Sequence, residues 1–292
     1  MDVLSDQVDP RIIEVGGLEK LVYDATSRVT LIEESYHLLK GMLNECIERN
    51  GVSVLSLDVF DTILLRNNKP EAQRYYELAE CCAEAFPSHH TALDFYVTRA
   101  IGMEVSYRAR PAKDACREGH IDEVLTLQAN LLGLQAGARE RLKEIEIDYE
   151  AKNLVANRVL LDVAKGFKSA GGTVILVSDM YLDSPAIKQL VDRVIGDPSL
   201  FDTIFSSADL IISKRSGRVF PYIAELLRRT SNEFLHIGDS LVGDVRRARE
   251  AGWAAQHFPI SRTEEIARKA RLNEFVTQMD SHMINVRQWA QL

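Results

Sequence analysis

VSVLSLDVFDT, residues 52–62, decides how this chain is read. Its first six residues are short, apolar and β-branched in the manner of a buried strand. They run directly into Asp58. An open α/β sheet binds its ligands beyond the carboxyl ends of its strands. Asp58 therefore stands where such a sheet does chemistry. A lone aspartate there is equally a turn former or a helix cap. The ends of the other strands must decide.

Downstream, TVILV (173–177), DTIFSS (202–207), FLHIG (234–238) and AAQHF (254–258) are short apolar runs. Helical segments such as SPAIKQLVDRVI and RVFPYIAELLRR separate them. Strands alternating with helices predict right-handed βαβ units, hence an α/β, Rossmann-like parallel sheet covered by helices. Between the first strand and the second, residues from about 70 to 165 read as helix throughout. Pro70 opens the first helix, and a long charged helix runs from about Ala138 to Phe167. No convincing strand interrupts this stretch, so it is expected to be an all-helical cap inserted after the first core strand.

The flanks are helical too. Val22, Ala25, Val29, Ile32, Tyr36, Leu39 and Leu43 recur in steps of three and four. They predict one amphipathic helix over 18–48, preceded by Gly16-Gly17 and stopped by Asn50-Gly51. Ser261 and Glu264 have capping-box spacing. Ile266, Ala270, Phe275, Met279 and Met283 would form the apolar side of a C-terminal helix. The expected organisation is an N-terminal helical extension (1–50), a core (51–69 and 166–260), a cap (70–165) and a C-terminal helix (261–292). The terminal helices are expected to pack on the core, on each other or on a second subunit.

Composition narrows the function. The 292 residues are 46% hydrophobic and 27% charged, and net charge is −8. That balance suits a globular protein and argues against a phosphate-coating nucleic-acid binder, which needs a basic face. No apolar run is long enough to span a bilayer, and the acidic start MDVLSDQVDP has no signal-peptide core. Cys46, Cys81, Cys82 and Cys116 have no C-x-x-C spacing, and the seven histidines form no metal-type pattern. The thiols read as reduced, and the expected location is cytoplasmic.

Reading the residues after each strand assembles the chemistry. Asp58 and Thr62 follow the first, Ser178 and Asp179 the second, a loop reaching Lys214 the third, and Asp239 and Asp244 the fourth. A carboxylate can attack phosphorus and hold the phosphoryl group as an acyl phosphate. Clustered carboxylates repel unless a hard dication sits among them, and Mg²⁺ takes a few carboxylates plus waters. Thr62, Ser178, Lys214 and loop N–H groups supply donors for phosphoryl oxygens. Asp179 and Asp183 read as structural, with Asp183 or Ser184 capping the helix that begins near Pro185. Lys214 shares its loop with Arg215 and Arg218, and Arg66 is a candidate for a substrate anion or for the surface.

These four segments, in this order and each after an apolar strand, resemble the motifs of the haloacid dehalogenase-like hydrolase superfamily over about 51–260. The helical insert resembles that superfamily's cap. SLDVFDTILLR, VSDMYL and FLHIGDS also resemble a subgroup associated with bacterial glycosyltransferases. The resemblance implies Asp58 as nucleophile and Mg²⁺ ligand. The Phe60 carbonyl and Asp239 would be further ligands, and Asp244 a ligand directly or through water. Thr62 and Ser178 would hydrogen-bond the phosphoryl group, and Lys214 would neutralise charge beside it. It also implies a small phosphorylated substrate, with a sugar phosphate of glycan synthesis in view, and a second copy or a glycosyltransferase as partner through the terminal helices. One departure matters. The superfamily's phosphatases usually carry an acid–base Asp two residues after the nucleophile, where this chain has Phe60. Asp61, one position on, points elsewhere and does not replace it. Two other readings follow: a non-catalytic phosphate-binding or regulatory partner of a glycosyltransferase, and a carbon–halogen or carbon–phosphorus hydrolase. The Asp239 and Asp244 pair argues against a metal-free dehalogenase, and a carbon–phosphorus hydrolase would need a Schiff-base lysine in the cap, Lys113, Lys143 or Lys152.

Overall fold

A computed structural model describes residues 17–86, 89–113 and 116–284. The acidic stretch 1–10, Gly16 and Pro87 lie outside them. The N-terminal stripe is broken into three helices: α1 (Leu18–Tyr23), α2 (Arg28–Glu34) and α3 (Tyr36–Asn50). A single helix was expected. Ser27 restarts the chain by accepting the Thr30 N–H at 3.5 Å, and Ser35 stands between α2 and α3. Leu18, Val22, Ile32, Leu39 and Leu43 still share one face and are buried in the main core. Gly51, at φ 59°, ends α3 as the sequence predicts.

Strand β1 (Val54–Leu57) is buried at every position. A short β2 (Leu64–Arg66) follows. The insert then supplies α4 (Glu71–Ala85), α5 (Ala92–Ala109), α6 (Ile121–Leu131) and α7 (Ala138–Lys152). The insert is helical through α7, as expected. β3 (Leu154–Ala156) pairs antiparallel with β2, so that Arg66 faces Leu154. The expected long helix to Phe167 is therefore two helices, α7 and α8 (Arg158–Ser169). Three-residue strands carry too little periodicity to be seen in sequence.

The core continues with β4 (Thr173–Ser178), α9 (Ser184–Ile195), β5 (Thr203–Ser206), α10 (Ser207–Leu210), α11 (Val219–Leu226) and β6 (Phe234–Gly238). A single π-type turn over Leu241–Arg246, α12 (Arg247–Glu250), β7 (Ala254–His257) and α13 (Arg262–Ser281) complete it. The five-stranded sheet has the order β5-β4-β1-β6-β7 and is parallel throughout. Alternation along β1 divides the core. Leu55 and Leu57 join Val174, Leu176 and Ile237 on one face, and Val54 joins Ile175, Phe205 and Trp253 on the other. Burying each such aliphatic side chain contributes about 1.5–3 kcal/mol. Both faces are covered, as a parallel sheet requires.

Helix α13 begins with the predicted capping box, Ser261 accepting the Glu264 N–H at 3.2 Å. Its inward face differs from the predicted stripe. Phe275 and Met279 are buried, but Ala270 is exposed, Ile266 is 57% exposed and Met283 95%. The first two turns turn Glu264 and Arg268 inward instead, for a reason that lies in the site. Among the described residues, no helix is long and apolar enough to cross a membrane. Cys46, Cys81, Cys82 and Cys116 form no disulfide among the described residues.

Candidate active site

β1 sits at the centre of the sheet, so its carboxyl end opens onto the middle of the molecule. The Asp58 N–H donates to the Ile237 carbonyl at 2.9 Å, extending the pairing one residue past the strand. The chain then turns tightly. The Val59 carbonyl accepts from Ile63 and Leu64 at 3.1 and 2.8 Å, and the Asp61 N–H reaches the Leu64 carbonyl at 2.8 Å. Asn157 fastens the turn from outside, its Nδ2 donating to the Thr62 carbonyl at 3.0 Å.

Asp61 is in the left-handed region, φ 59°, which is strained for a residue with a Cβ. Its carboxylate explains how the position is held. Arg28 Nη2 lies 2.8 Å from Oδ1, and Arg268 reaches both oxygens, at 2.6 and 3.1 Å. Arg28 also donates to the Asp61 carbonyl, and its Nε pairs with Glu264 at 2.6 Å. Burial alone would raise the Asp61 carboxyl, but the guanidiniums of Arg268 and Arg28 outweigh it and hold it well below the usual range. Both terminal helical segments thus close on the turn that carries Asp58.

A cavity of about 820 Å³ lies between sheet and insert. Asp58, Phe60, Ser178, Lys214, Asp239 and Asp244 line its core side, and Met103 and Tyr107 of α5 its roof. Lys214 Nζ pairs with Asp58 Oδ1 and lies 2.6 Å from Asp244 Oδ1. Asp179 sets the lysine's backbone by accepting the N–H groups of Lys214 and Arg215 at 2.7 and 3.0 Å. Asp244 further accepts from the Ser240 N–H at 2.9 Å and from His236 Nε2 at 3.0 Å. Burial holds His236 below its ordinary pKa. Its neutral ring can then donate from Nε2 and accept the Ser56 hydroxyl, 2.7 Å away, at Nδ1. Gly238 is required by this packing, since a Cβ there would lie 2.3 Å from Asp244 Cγ.

The cluster is electrostatically incomplete. One carboxylate oxygen each from Asp58, Asp239 and Asp244 lies within 4.8 Å of the others. Only one ammonium, Lys214, sits among them. Burial would lower that ammonium's pKa, but Asp244 and Asp58 outweigh it and raise it, so it stays charged. Asp244 is likewise buried but held low by Lys214 and His236. Asp58 and Asp239 move the other way. Burial raises both, and the charge of neighbouring carboxylates adds to it. The Asp239 carboxylate has no hydrogen-bond donor among the described residues, while its backbone carbonyl accepts from His257 Nε2 at 2.8 Å. An all-oxygen set with one unpartnered carboxylate fits a hard dication such as Mg²⁺.

The structure gathers most of the predicted site residues on one wall. Thr62 is the exception. It is fully buried beside Asp58, near enough to favour the ionised carboxylate, yet its Oγ1 makes no well-formed hydrogen bond and it does not line the cavity. Arg215 lines the cavity and Arg218 does not. Asp183 caps α9 through the Ala186 N–H at 2.9 Å, as predicted. Sequence reading missed His236, Arg28 and Arg268. The only local signal was the polar His236 inside an apolar strand, where a buried imidazole needs a partner.

No family model matches this chain, and no curated protein matches it. Three solved structures resemble it in part. A HAD family enzyme from Bacteroides thetaiotaomicron is 13% identical, with TM-score 0.47, covering 70% of this chain and 93% of its own. L-2-haloacid dehalogenase from Xanthobacter autotrophicus is 15% identical, with TM-score 0.43, covering 70% and 77%. A haloacid dehalogenase-like family hydrolase from Xanthomonas campestris is 16% identical, with TM-score 0.39, covering 72% and 84%.

Proposed function

We propose that this chain is a magnesium-dependent phosphatase or phosphotransferase of the haloacid dehalogenase-like superfamily, acting on a small phosphorylated metabolite. The observation that carries this reading is the Lys214 ammonium between Asp58 and Asp244, at the foot of a cavity that Asp239 also faces.

Asp58 is the nucleophile. Lys214 holds it in one orientation and neutralises charge as a phosphoryl group arrives. Ser178, buried on the cavity wall, donates to a phosphoryl oxygen. Thr62, expected to reach the same oxygens, is buried off the cavity wall and acts instead on Asp58, whose ionised carboxylate it favours. Asp58, Asp239, the Phe60 carbonyl and Asp244 would hold Mg²⁺, Asp244 directly or through water. When bound, the ion offsets carboxylate repulsion and polarises the phosphoryl group. Met103 and Tyr107 on α5 close the cavity from the insert side and limit water.

A screen of phosphorylated metabolites, sugar phosphates of glycan synthesis included, tests this with Mg²⁺ present and Asp58→Asn as the blank. Turnover and a quench-trapped aspartyl phosphate are expected, both lost in the variant. Calorimetry should show Mg²⁺ affinity lowered at least ~10-fold by Asp239→Asn. Unchanged affinity would remove the metal assignment.

Phe60 favours a second reading, a phosphate-binding partner without turnover, as in regulation of a glycosyltransferase. Mg²⁺-dependent phosphate binding with no Asp58-dependent reaction would select it. A carbon–phosphorus hydrolase is less well supported. Lys214 is the one lysine on the described cavity wall, and Lys143 is spent on Asp122 and Asp183 at 3.0 and 2.9 Å.

A further inference from the structure

Where a general acid would stand, the chain places an aromatic ring with a cation on it. Phe60 lines the cavity beside Asp58, and the Arg66 guanidinium carbon lies 4.2 Å from the centre of its ring. Arg66 lines the same cavity. It is carried on β2, paired antiparallel with β3 across the insert, and its Nη2 rests 3.7 Å from Met180 Sδ. The nearest carboxylate is Glu150, 3.9 Å away, and Glu150 already pairs with Arg74 at 2.9 Å. Arg66 Nε is buried without a hydrogen-bond partner. The guanidinium is thus held in place, aimed at the cavity and only weakly neutralised.

The carboxyls around it are otherwise engaged. Asp61 is bonded by Arg28 and Arg268 and feels Arg66 only as a weaker attraction, and Asp179 is taken by two backbone N–H groups. Glu71 accepts the Tyr75 hydroxyl at 2.8 Å, and Glu104 pairs with Arg108 at 2.9 Å. Asp58, Asp239 and Asp244 form the metal cluster. A guanidinium keeps its proton at any working pH, so Arg66 can stabilise a leaving anion but cannot protonate one.

We infer that Arg66, seated on Phe60, receives the leaving group as an anion, and that the substrate is an acyl phosphate or phosphoanhydride rather than an alkyl phosphate. The inference rests on the phosphoryl-transfer reading above. Asp58 Oδ attacks phosphorus, the bond from phosphorus to the leaving oxygen breaks, and its electron pair departs with a carboxylate or phosphate that needs no proton. Water then attacks the aspartyl phosphate. The bond from phosphorus to the Asp58 oxygen breaks, the carboxylate is regenerated, and both protons of the water leave with dihydrogen phosphate.

The test uses the full chain with Mg²⁺ and four probes: acetyl phosphate, p-nitrophenyl phosphate, phenyl phosphate and glycerol 3-phosphate. Wild type, Arg66→Gln, Arg66→Lys and Asp58→Asn are compared, each checked by a melting curve. In wild type kcat/KM should fall steeply as the leaving group becomes more basic, with glycerol 3-phosphate turned over least. Arg66→Gln should steepen that dependence, costing phenyl phosphate ~10²-fold and acetyl phosphate less. Arg66→Lys should recover part of the loss. A parallel drop for every probe would assign Arg66 a structural role and overturn the inference. So would glycerol 3-phosphate turnover equal to that of acetyl phosphate, which requires a proton donor. Loss of Asp58 dependence would instead remove the phosphoryl-transfer reading, and this inference with it.

Discussion

Replacing Arg28 with methionine keeps most of the side-chain volume and removes one cation from a buried cluster. Arg28 is 1% exposed and contacts both Asp61 and Glu264. Breaking a buried ion pair by deleting one partner costs about 3–5 kcal/mol, because the other charge is left stranded. The survivors here are not wholly stranded. Asp61 keeps Arg268, and Glu264 keeps the backbone N–H groups of residues 28 and 261 at 3.0 and 3.4 Å. The lower end applies, about 3 kcal/mol, which is a fall in Tm of about 6 °C for a chain of this size. Acid should shrink the difference. The folded Asp61 carboxyl is depressed, so its stabilisation is present above the unfolded carboxylate pKa of about 4 and is lost as pH falls through the folded value. Urea melts of Arg28→Met, Asp61→Asn and the double variant, at neutral pH and at about pH 3, below the unfolded carboxylate pKa, supply the measurement. The clamp is refuted if Arg28→Met stays within about 1 kcal/mol of wild type at neutral pH, or costs as much when Asp61 is already Asn.

Gly238→Ala should push the Asp244 carboxylate off Lys214, since the new Cβ would sit 2.3 Å from Asp244 Cγ. A loss of about 1–3 kcal/mol in a melt is expected, with weakened Mg²⁺ binding by calorimetry. Phe60→Asp places a carboxylate under Arg66, which holds it ionised and unable to donate. Gains on phenyl phosphate should stay well below the ~10²–10⁴-fold that a general acid supplies, while Phe60→Asp with Arg66→Gln should gain more. In the insert, Arg99 is 3% exposed and its Nη2 lies 2.5 Å from Glu146, which also accepts the Tyr181 hydroxyl at 2.6 Å. Arg99→Met should cost about 3–5 kcal/mol in urea melts, and a smaller loss would show that Tyr181 alone satisfies Glu146.

The core was legible because its signals are local. Each sheet strand is a short apolar run, and Asp58, Ser178, Asp239 and Asp244 fall just past or near strand ends, so the topology brings them together. Lys214 was legible only through spacing, since Arg215 and Arg218 have the same charge. What stayed hidden depends on distant partners. Arg28 and Arg268 lie 33 and 207 residues from Asp61. Helix α13 shows why this misled. Its inward face is charged for two turns, through Glu264 and Arg268, and apolar only from Leu272, Phe275 and Met279 onward. A search for an apolar stripe therefore placed Ile266 and Ala270 inward, where the helix exposes them. The break between α1, α2 and α3 was hidden for the opposite reason, because much of the stripe stays in phase across Ser27 and Ser35.

The clamp on Asp61 also sets an order of events during synthesis. All five sheet strands have been made once His257 is added, and the nucleophile, the lysine and every carboxylate of the cluster already exist. The turn that carries the nucleophile has its backbone bonds and Asn157 by then, but not its full ionic clamp. Arg28 lacks Glu264, Asp61 lacks Arg268, and a strained left-handed residue has only one of its two guanidiniums. A nascent chain can thus lay down its sheet strand by strand as it emerges, while Asp61 completes its ion pairs only when the last helix folds back across the starting one.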